Sequence, residues 1–386
     1  MTRRLHDTAE PEERAFLVAA RIHGSEDGWS AEGSLEELAL LADTAGARVV
    51  GQTVQRLTRP RPATYIGRGK VQEIASQRDD LAYTTVIFDD ELSPSQQRTL
   101  EKALDVKVLD RTALILDIFA QHARTREGRL QVELAQHEYI LPRLRGQWSH
   151  LERLEGRIGT RGPGETQLET DRRLIRNRIS ALKRQIEQVR QQRALHRRQR
   201  ARQGLPVVSL VGYTNAGKST LMRALSGADV LVEDRLFATL DPVTRRIRLP
   251  SGATALLTDT VGFIQKLPTQ LVAAFRATLE ELTEAALLLH VVDITHPDAL
   301  QQAQTVESTL GDLELTAKRR LTVLNKIDVL ADGEGVSLEE ALESEAVRLL
   351  LDPWGAEALV ISAARGWGLD GLRARIEGAL AGAASA

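Results

Sequence analysis

The chain has 386 residues, of which 42% are hydrophobic and 27% charged, enough apolar side chains to bury a core and to exclude a disordered protein. It contains no cysteine, which excludes a disulfide framework, a thiolate metal site and a cysteine nucleophile. The length predicts two or three domains. The polar start, and the lack of an apolar stretch near the ~20 residues of a membrane helix, predict a cytoplasmic protein with no membrane span.

A charge asymmetry lies behind the net charge of −2. Residues 1–205 carry 35 lysines and arginines against 29 aspartates and glutamates, and residues 206–386 carry 16 against 24. The first half of the chain is therefore basic and the second acidic. Such a split favours a polyanionic partner for the basic half.

Short apolar runs alternate with helix-like stretches over the first 112 residues. The strand-like runs are residues 16–20, 48–52, 85–88 and 106–109, and the helix-like stretches include residues 35–45 and 93–103. Ser93 and Pro94 supply a capping residue and a first-turn proline at the start of a helix. This alternation predicts a small α/β domain, residues 1–112, with a largely parallel sheet.

The apolar spacing changes to a four-three pattern between residues 113 and 203. The positions that follow it are Leu130, Leu134, His137, Leu141 and Leu144, and then Ile175, Ile179, Leu182, Ile186 and Val189. Two such stripes joined by a short connection predict an antiparallel helical hairpin with a coiled-coil seam.

The second of these predicted helices is densely basic. Its cations are Arg172, Arg173, Arg176, Arg178, Lys183, Arg184, Arg190, Arg193, Arg197, Arg198, Arg200 and Arg202. A solvated face is the ordinary interpretation of such a run, but these cations are almost unopposed by acids of the same helix. The run therefore favours a nucleic acid or another polyanion, whose binding weakens steeply with salt because counterions are released.

A glycine-rich loop, residues 156–167, lies between the two predicted helices and contains four glycines and two arginines. Its amides and guanidinium groups can approach RNA phosphates or bases closely. The residues predicted to contact RNA are Arg157, Gly159, Thr160, Arg161, Gly162, Pro163 and Gly164. An ordinary flexible connection is the alternative interpretation.

The strongest motif is an apolar run, residues 207–211, that leads into the sequence GYTNAGKS and a helix-like stretch, residues 220–226. This G-x-x-x-x-G-K-S pattern predicts a phosphate-binding loop, in which backbone amides face the phosphates, Lys218 reaches the outer phosphates and the Ser219 hydroxyl binds magnesium. The predicted nucleotide-binding residues of the loop are Gly212, Tyr213, Thr214, Asn215, Ala216, Gly217, Lys218, Ser219 and Thr220.

A D-x-x-G motif follows the apolar run of residues 254–258. It consists of Asp259, Thr260, Val261 and Gly262. A carboxylate at a strand end predicts that Asp259 holds magnesium through a bound water, and the amide of Gly262 is placed to contact a γ-phosphate.

The segment of residues 236–242, which we call the first switch segment, lies between these two motifs. Thr239 is the residue predicted to place a hydroxyl on magnesium, with Thr244 as the alternative and an ordinary loop threonine as a further interpretation. Lys218, Thr239 and Gly262 are therefore the predicted catalytic residues.

The nucleotide base is indicated by two later strand ends. Asn325, Lys326 and Asp328 follow residues 320–324 as an N-K-x-D motif, and Ser362 and Ala363 follow residues 359–361. The Asp328 carboxylate can accept the N1 and N2 hydrogens of guanine, Lys326 can cover the base plane, and a backbone amide beside the small residues can reach O6. These motifs predict GTP or GDP with Mg²⁺, bound by a doubly wound sheet over residues 204–386.

The residue after the D-x-x-G motif bears on hydrolysis. Many small signalling GTPases place a glutamine there to orient the attacking water, whereas this chain has Phe263, which cannot hydrogen-bond to water. Unassisted hydrolysis should therefore be slow, and a partner that completes the site could accelerate it by up to about 10³–10⁵. The alternative is that another residue of this chain orients the water.

A second glycine-rich element, residues 65–70 (YIGRGK), precedes a helix-like stretch in the first domain. It could hold a phosphate at a helix N-terminus, but such a sequence is more often a turn. We favour the turn.

Taken together, these residues resemble the HflX family of ribosome-associated GTPases over nearly the whole chain. The stretches that carry the resemblance are residues 65–70, 92–97 (LSPSQQ), 110–121 (DRTALILDIFAQ), 130–136 (LQVELAQ), 159–173 (GTRGPGETQLETDRR) and 212–219. The stretch of residues 159–173 is especially specific, because it lies outside the generic GTPase motifs.

The resemblance implies an N-terminal HflX domain that ends in a helical hairpin, followed by a G domain, and binding to the large ribosomal subunit. It also implies that the hairpin loop reaches toward the peptidyl transferase region and that the protein splits or rescues stalled ribosomes under stress. Many family members carry a further small C-terminal domain, whereas this chain stops at Ala386, so we expect that domain to be absent. We also expect a monomer.

The sequence therefore predicts a GTP hydrolase that binds the large subunit through its basic half and is stimulated by it. Two alternatives stay open. One is an ATP-dependent RNA remodeller that uses the element at residues 67–70 as a second nucleotide site. The other is a signalling GTPase with a protein effector, in which the basic helix is a solvated face.

Overall fold

The computed structural model describes residues 12–23, 29–144, 163–202, 204–227, 236–267, 282–331, 337–355 and 357–384. The chain divides into two compact units. The first comprises residues 1–118 and 142–171, and the second comprises residues 119–141 and 172–386. The domain boundaries at residues 112 and 203 stay a prediction.

The first unit contains a four-stranded parallel sheet with the strand order β2-β1-β3-β4. The elements in chain order are β1 (Arg14–Ile22), α1 (Ala31–Thr44), β2 (Arg48–Leu57), α2 (Arg68–Ser76), α3 (Arg78–Leu81), β3 (Thr85–Phe88), α4 (Pro94–Leu104), β4 (Lys107–Asp110) and α5 (Arg111–His122). The predicted small α/β fold with a parallel sheet is confirmed.

Helix α4 begins where the capping pattern predicts. The Ser93 hydroxyl accepts a hydrogen bond from the amide of Gln96, and the Gln96 side chain accepts one from the amide of Ser93, which forms a capping box. Leu100 and Leu104 then face the sheet and pack in one buried cluster with Val86. The local cap and the apolar spacing thus specify the same helix.

Buried charges meet at the carboxyl ends of β3 and β4. The guanidinium group of Arg111 donates to Asp89 Oδ1 at 2.8 Å and forms an ion pair with Glu37, and all three side chains are buried. Ser34 donates its hydroxyl to the other oxygen of Asp89 at 2.7 Å. Because isolated charges are costly in an apolar interior, this network depends on every member being present.

The glycine-rich element at residues 65–70 forms a turn, as predicted. Tyr65 has a positive φ of 62°, and its backbone pairs with Arg61. The amide of Gly67 donates to the Gln55 side chain at 2.8 Å, and the Lys70 ammonium group lies 2.8 Å from the carboxylate of Glu73. The groups that would face a phosphate therefore have protein partners.

The second unit begins with parts of two helices, α6 (Arg126–Arg143) and α7 (Pro163–Arg202), which we call the helix pair. The residues of their shared apolar cluster are Leu130, Leu134 and Leu182, with Ile179, Ile186 and Val189 packed against them. The predicted contact between the two apolar stripes is therefore confirmed.

Acids of α6 oppose two of the cations of α7. Arg178 lies 2.6 Å from the carboxylate of Glu133, and Lys183 lies 2.8 Å from that of Glu138. These pairs join two different helices, so the charge pattern within α7 alone does not reveal them. More of the cations of α7 are therefore paired with acids than the sequence predicts.

The rest of the second unit is a six-stranded sheet with the order β10-β9-β8-β5-β7-β6, in which only β6 is antiparallel among the described strands. Its elements are β5 (Val207–Gly212), α8 (Lys218–Ser226), β6 (Val243–Arg248), β7 (Thr254–Asp259), β8 (Leu287–Asp293), α9 (Ala299–Asp312), β9 (Arg320–Asn325), α10 (Ile327–Leu330), α11 (Leu338–Glu343), α12 (Glu345–Leu351), a 3₁₀ turn (Asp352–Trp354), β10 (Leu359–Val360) and α13 (Leu369–Ala384). The predicted sheet is confirmed. None of the described helices combines the length and the apolar character needed to cross a membrane.

Replacing Arg111 by alanine is expected to destabilise the first unit by about 3–5 kcal/mol, because Asp89 and Glu37 would stay buried without the cation that faces both. Hydrogen exchange of the amides in β1 and β3 measures the stability of this unit separately. The exposed Arg59 provides the control, and Arg59→Ala should change stability by no more than about 0.5 kcal/mol. Equal exchange rates in the two variants would contradict the role given to Arg111.

Candidate functional site

The predicted motifs converge at the carboxyl edge of the six-stranded sheet. Strands β5, β7, β8 and β9 are parallel neighbours, so the residues that follow them share this edge. Parallel α/β sheets bind ligands at such an edge, where chain reversals leave room between the loops. The edge is therefore the candidate functional site.

Asn325 braces the phosphate loop from the end of β9. Its Nδ2 donates to the carbonyl of Ala216 at 2.9 Å, and its Oδ1 accepts from the amide of Ala363 at 3.0 Å. Gly217 has a φ of +89°, and a Cβ there would lie 2.3 Å from Asn325 Nδ2. The loop thus needs glycine at this position both for its backbone conformation and for its contact with Asn325.

The motifs predict that Asn325 and Ala363 lie at the base, and they do not reveal the hydrogen bond between these two residues. In the structure, one side chain ties the loop after β5 to the loop after β10. The position of Asn325 could have indicated these bonds, because an asparagine at the end of a buried strand needs hydrogen-bond partners for both the oxygen and the nitrogen of its amide.

Lys218 begins α8 and is buried. Its ammonium group donates to the carbonyls of Gly212 at 3.1 Å and Tyr213 at 2.7 Å. Burial lowers the pKa of Lys218 to about 8, the nearby Asp259 carboxylate opposes this shift, and Lys326 adds to it. The ammonium group is held inside the loop, where an anion would stabilise its charged form.

Three side chains from three separate segments meet beside Lys218. Ser219 Oγ lies 2.7 Å from Asp259 Oδ2 and 2.8 Å from Thr239 Oγ1, and Thr239 Oγ1 donates to the same carboxylate oxygen at 2.9 Å. The structure thus brings together the three residues predicted to bind magnesium. Thr244, the alternative to Thr239, instead faces Thr258 across the β6–β7 pair at 3.0 Å.

Oxygen ligands of this kind suit Mg²⁺. Asp259 Oδ1 is buried and has no hydrogen-bond partner among the described residues, which leaves one acceptor for a metal-bound water. Burial raises the pKa of Asp259, against the influence of Lys218 and the two hydroxyl groups. A divalent cation would remove the cost of keeping this carboxylate charged, so the residues fit the group.

The D-x-x-G segment is joined to the phosphate loop through the backbone. Phe263 donates its amide to the carbonyl of Gly212 at 3.1 Å, and its own carbonyl accepts from the amide of Thr214 at 2.7 Å. The Phe263 side chain is buried, so it faces the core. A Cβ on Gly262 would lie 3.1 Å from Lys218 Nζ, which shows how closely this backbone approaches the ammonium group.

The side chains of Thr260 and Val261, in the same segment, are buried in the protein. The hydroxyl of Thr260 donates to the carbonyl of Leu210 at 2.7 Å, and Val261 is buried. A further contact was missed from the sequence: the Tyr213 hydroxyl accepts the amide of Gln265 at 2.8 Å. These contacts hold residues 260–265 against β5 and the residue that follows it.

The predicted base-binding residues lie around α10. Lys326 has a φ of +70° and its ammonium group lies 2.8 Å from Asp293, while Asp328 lies half-buried in the first turn of α10. Ser362 is buried, and its hydroxyl accepts from the amide of Arg365 at 3.0 Å. The pairing of Asp293, at the end of β8, with Lys326 was missed from the sequence.

The predicted RNA-contacting loop falls largely outside the described residues. Arg157, Gly159, Thr160, Arg161 and Gly162 lie there. Pro163 and Gly164 belong to the first turn of α7, where the structure describes the backbone alone.

Three family models match successive parts of the chain. One family model, described as GTP-binding GTPase N-terminal, matches residues 32–120, and one described as GTP-binding GTPase Middle Region matches residues 122–200. A third, described as 50S ribosome-binding GTPase, matches residues 207–326.

Three curated relatives carry the name GTPase HflX. The protein from Lacrimispora saccharolytica is 50% identical over 368 residues, which cover 95% of this chain and 83% of the relative. The one from Caldanaerobacter subterraneus is 53% identical over 326 residues (84% and 75%), and the one from Escherichia coli is 48% identical over 300 residues (78% and 70%). A solved GTP-binding protein from Sulfolobus solfataricus in complex with GDP is 24% identical, with a TM-score of 0.44 over 96% of this chain and 99% of that chain.

A largely parallel sheet whose strand ends carry a phosphate loop, D-x-x-G and N-K-x-D defines a P-loop GTPase. The chain belongs to the HflX family of GTPases, which confirms the resemblance seen in its motifs. The protein is therefore a GTP-binding hydrolase.

Binding of GDP at pH 8 is expected to take up about half a proton, because Lys218 is half-neutral in the empty site and the phosphates favour its charged form. Affinity should fall as the pH rises above this value, since the bound form keeps a proton that the free form loses. Calorimetry in two buffers of different ionisation enthalpy measures the uptake. Lys218→Arg provides the control, because its guanidinium stays protonated at this pH. Equal proton uptake by this variant and the unchanged chain would assign the proton to another group.

Asp328→Asn is expected to weaken GTP and to favour xanthosine triphosphate, because an amide can donate to the extra carbonyl of xanthine. The ratio of the two affinities should change by about 100-fold or more. A competition assay measures it, with replacement of the exposed Asp312 by asparagine as the charge-matched control. An unchanged base preference would remove Asp328 from the base site.

Proposed function

We propose that this GTPase binds the large ribosomal subunit through its basic N-terminal half and couples GTP binding and hydrolysis to the splitting or rescue of stalled ribosomes. It acts in the cytoplasm as a monomer. The observation that carries the proposal is a set of exposed cations on α7: Arg173, Arg176 and Arg184 form no ion pair with another described residue. Free guanidinium groups aligned on one helix suit the phosphates of ribosomal RNA.

Family membership supports the ribosome as the source of these phosphates. The model that matches residues 207–326 is described as a 50S ribosome-binding GTPase, and the model described as GTP-binding GTPase Middle Region matches residues 122–200, which contain most of the helix pair. The predicted contacts of Arg157, Gly159, Thr160, Arg161, Gly162, Pro163 and Gly164 with ribosomal RNA belong to this proposal.

The nucleotide is held by the residues already placed at the sheet edge. Lys218 and the loop amides face the phosphates, Gly262 contacts the γ-phosphate, and Asn325 braces the loop while Asp328 selects guanine. Ser219, Thr239 and Asp259 would hold Mg²⁺, which when bound neutralises charge that develops on the phosphate oxygens.

Hydrolysis is slow until the ribosome completes the site. The Phe263 side chain is buried and cannot orient water. Gln265, two residues later, is also buried, and its backbone amide donates to the Tyr213 hydroxyl. A group supplied by the large subunit would stabilise the transition state, with an acceleration of up to about 10³–10⁵.

The two alternative functions require different things of the structure. A second nucleotide site at residues 67–70 would need the Gly67 amide and Lys70, which already have Gln55 and Glu73 as partners. A signalling GTPase with a protein effector would leave the α7 cations solvated, and it predicts no effect of ribosomal subunits on turnover.

The test is GTP turnover by the full chain with large subunits, with small subunits and alone. We expect strong stimulation by large subunits only, declining steeply between 50 and 200 mM salt, concentrations over which several phosphate contacts lose orders of magnitude in affinity. Stimulation by neither subunit, with intact GTP binding, would overturn the proposal.

Neutralising Arg173, Arg176 and Arg184 together to glutamine should weaken large-subunit binding and lower the salt slope by about 2–3, since each lost phosphate contact removes about one counterion. The matched control removes three exposed arginines of edge strand β6, Arg245, Arg246 and Arg248, in the same way. Sedimentation of the chain with subunits measures both. Equal losses in the two triple variants would indicate a non-specific charge effect and contradict the placement on α7.

A further inference from the structure

The carboxylate of Asp241, in the first switch segment, caps the start of the helix pair. Its Oδ2 accepts hydrogen bonds from the amides of Arg124 at 2.8 Å and Thr125 at 2.7 Å, and its Oδ1 accepts the hydroxyl of Thr125. The same hydroxyl accepts the amide of Gly128 at 3.0 Å, inside the first turn of α6. An anion at a helix N-terminus satisfies free amides and is favoured by the helix dipole.

Gly128 shows how close this contact is. A Cβ at this buried glycine would lie 2.3 Å from Asp241 Oδ1, much closer than two such atoms can approach. Any larger residue there would push the carboxylate away. The sequence of α6 thus leaves room for Asp241.

A second contact holds the other end of the segment. The ring of Phe237 packs edge-to-face on that of Phe119, with the centroids 4.7 Å apart and the planes at 80°. Both rings are buried, and Phe237 has a φ of +57°, a strained conformation that persists only where surroundings enforce it.

Thr239 lies between these two anchors. Its hydroxyl is 2.8 Å from that of Ser219 and 2.9 Å from Asp259 Oδ2. Residues 119–128 therefore contact the first switch segment on both sides of Thr239, the residue whose hydroxyl reaches Ser219 and Asp259. A shift of α6 would be passed to Thr239 through two residues of chain.

We propose that Asp241 is a positioning residue, which sets the Thr239 hydroxyl at the magnesium site and links that site to the base of the helix pair. GTP, which orders switch segments through the γ-phosphate and its magnesium, then also tightens the cap on α6. By reciprocity, a partner that fixes α6 favours Thr239 on the metal. The regulatory part rests on the proposed function, because it takes the helix pair as the element the ribosome holds.

A double-mutant cycle tests the positioning role without ribosomes. The measured quantity is the magnesium concentration that half-maximally slows release of a fluorescent, non-hydrolysable GTP analogue. Asp241→Asn should raise it about fivefold, comparable to the loss of a cap, and Thr239→Ala should raise it at least as much. If Asp241 acts through Thr239, the double variant equals Thr239→Ala alone. Additive effects would overturn the proposal.

Gly128→Ala provides a variant that keeps the carboxylate. Alanine favours a helix more than glycine does, so α6 itself is not weakened, yet Asp241 must move. It should raise the magnesium requirement as Asp241→Asn does, whereas the charge-matched Asp312→Asn should not. A normal magnesium requirement in Gly128→Ala would contradict the linkage.

Hydrogen exchange gives a readout independent of nucleotide release. The amides of Arg124 and Thr125 should exchange at least about fivefold more slowly with magnesium and the GTP analogue than with GDP, and this difference should vanish in Asp241→Asn. Equal protection in both nucleotide states of the unchanged chain would overturn the coupling.

The failure of this inference can be told from that of the proposed function. If large subunits do not stimulate the unchanged chain, the proposed function fails and the cycle still decides the role of Asp241. If they stimulate Asp241→Asn as strongly as the unchanged chain, the link to the helix pair is overturned.

Discussion

The arrangement of the candidate nucleotide site depends on one carboxylate oxygen, Asp259 Oδ2. It accepts the hydroxyl groups of both Ser219 and Thr239, so the phosphate loop, the first switch segment and the end of β7 share a single buried atom. A buried carboxylate with one oxygen left unpaired is costly, and Mg²⁺ at this position would offset that cost. With a metal and a nucleotide bound the site would be more stable than without them, and we propose this difference as the basis of a switch.

Two other links extend this arrangement across the second unit. Asn325 ties the phosphate loop to the residues after β10, so the phosphate and base ends of the site are held by one amide. Asp241 ties the first switch segment to the first turn of α6. Each link is a side chain that satisfies backbone groups of another segment. Changes at the nucleotide thus have a short, physically continuous route to the helix pair.

Much of this could be predicted from the sequence, because the decisive features are local. The parallel strands, the capping box at Ser93 and the two apolar stripes follow from short-range patterns, and the convergence of Ser219, Thr239 and Asp259 follows from motif order along a parallel sheet. The pairing of Glu133 with Arg178, the brace of Asn325 and the cap formed by Asp241 could not be predicted. Each joins residues far apart in the chain, and no spacing within one segment records such a contact.

The most direct test is a structure of the chain bound to large ribosomal subunits with a non-hydrolysable GTP analogue and magnesium. We expect α7 to lie against ribosomal RNA, with Arg173, Arg176 and Arg184 on its phosphates, and the hydroxyl groups of Ser219 and Thr239 to coordinate the metal. We also expect Asp241 still to cap α6. A complex held only through residues 206–386, with α7 in solvent, would contradict the proposed function.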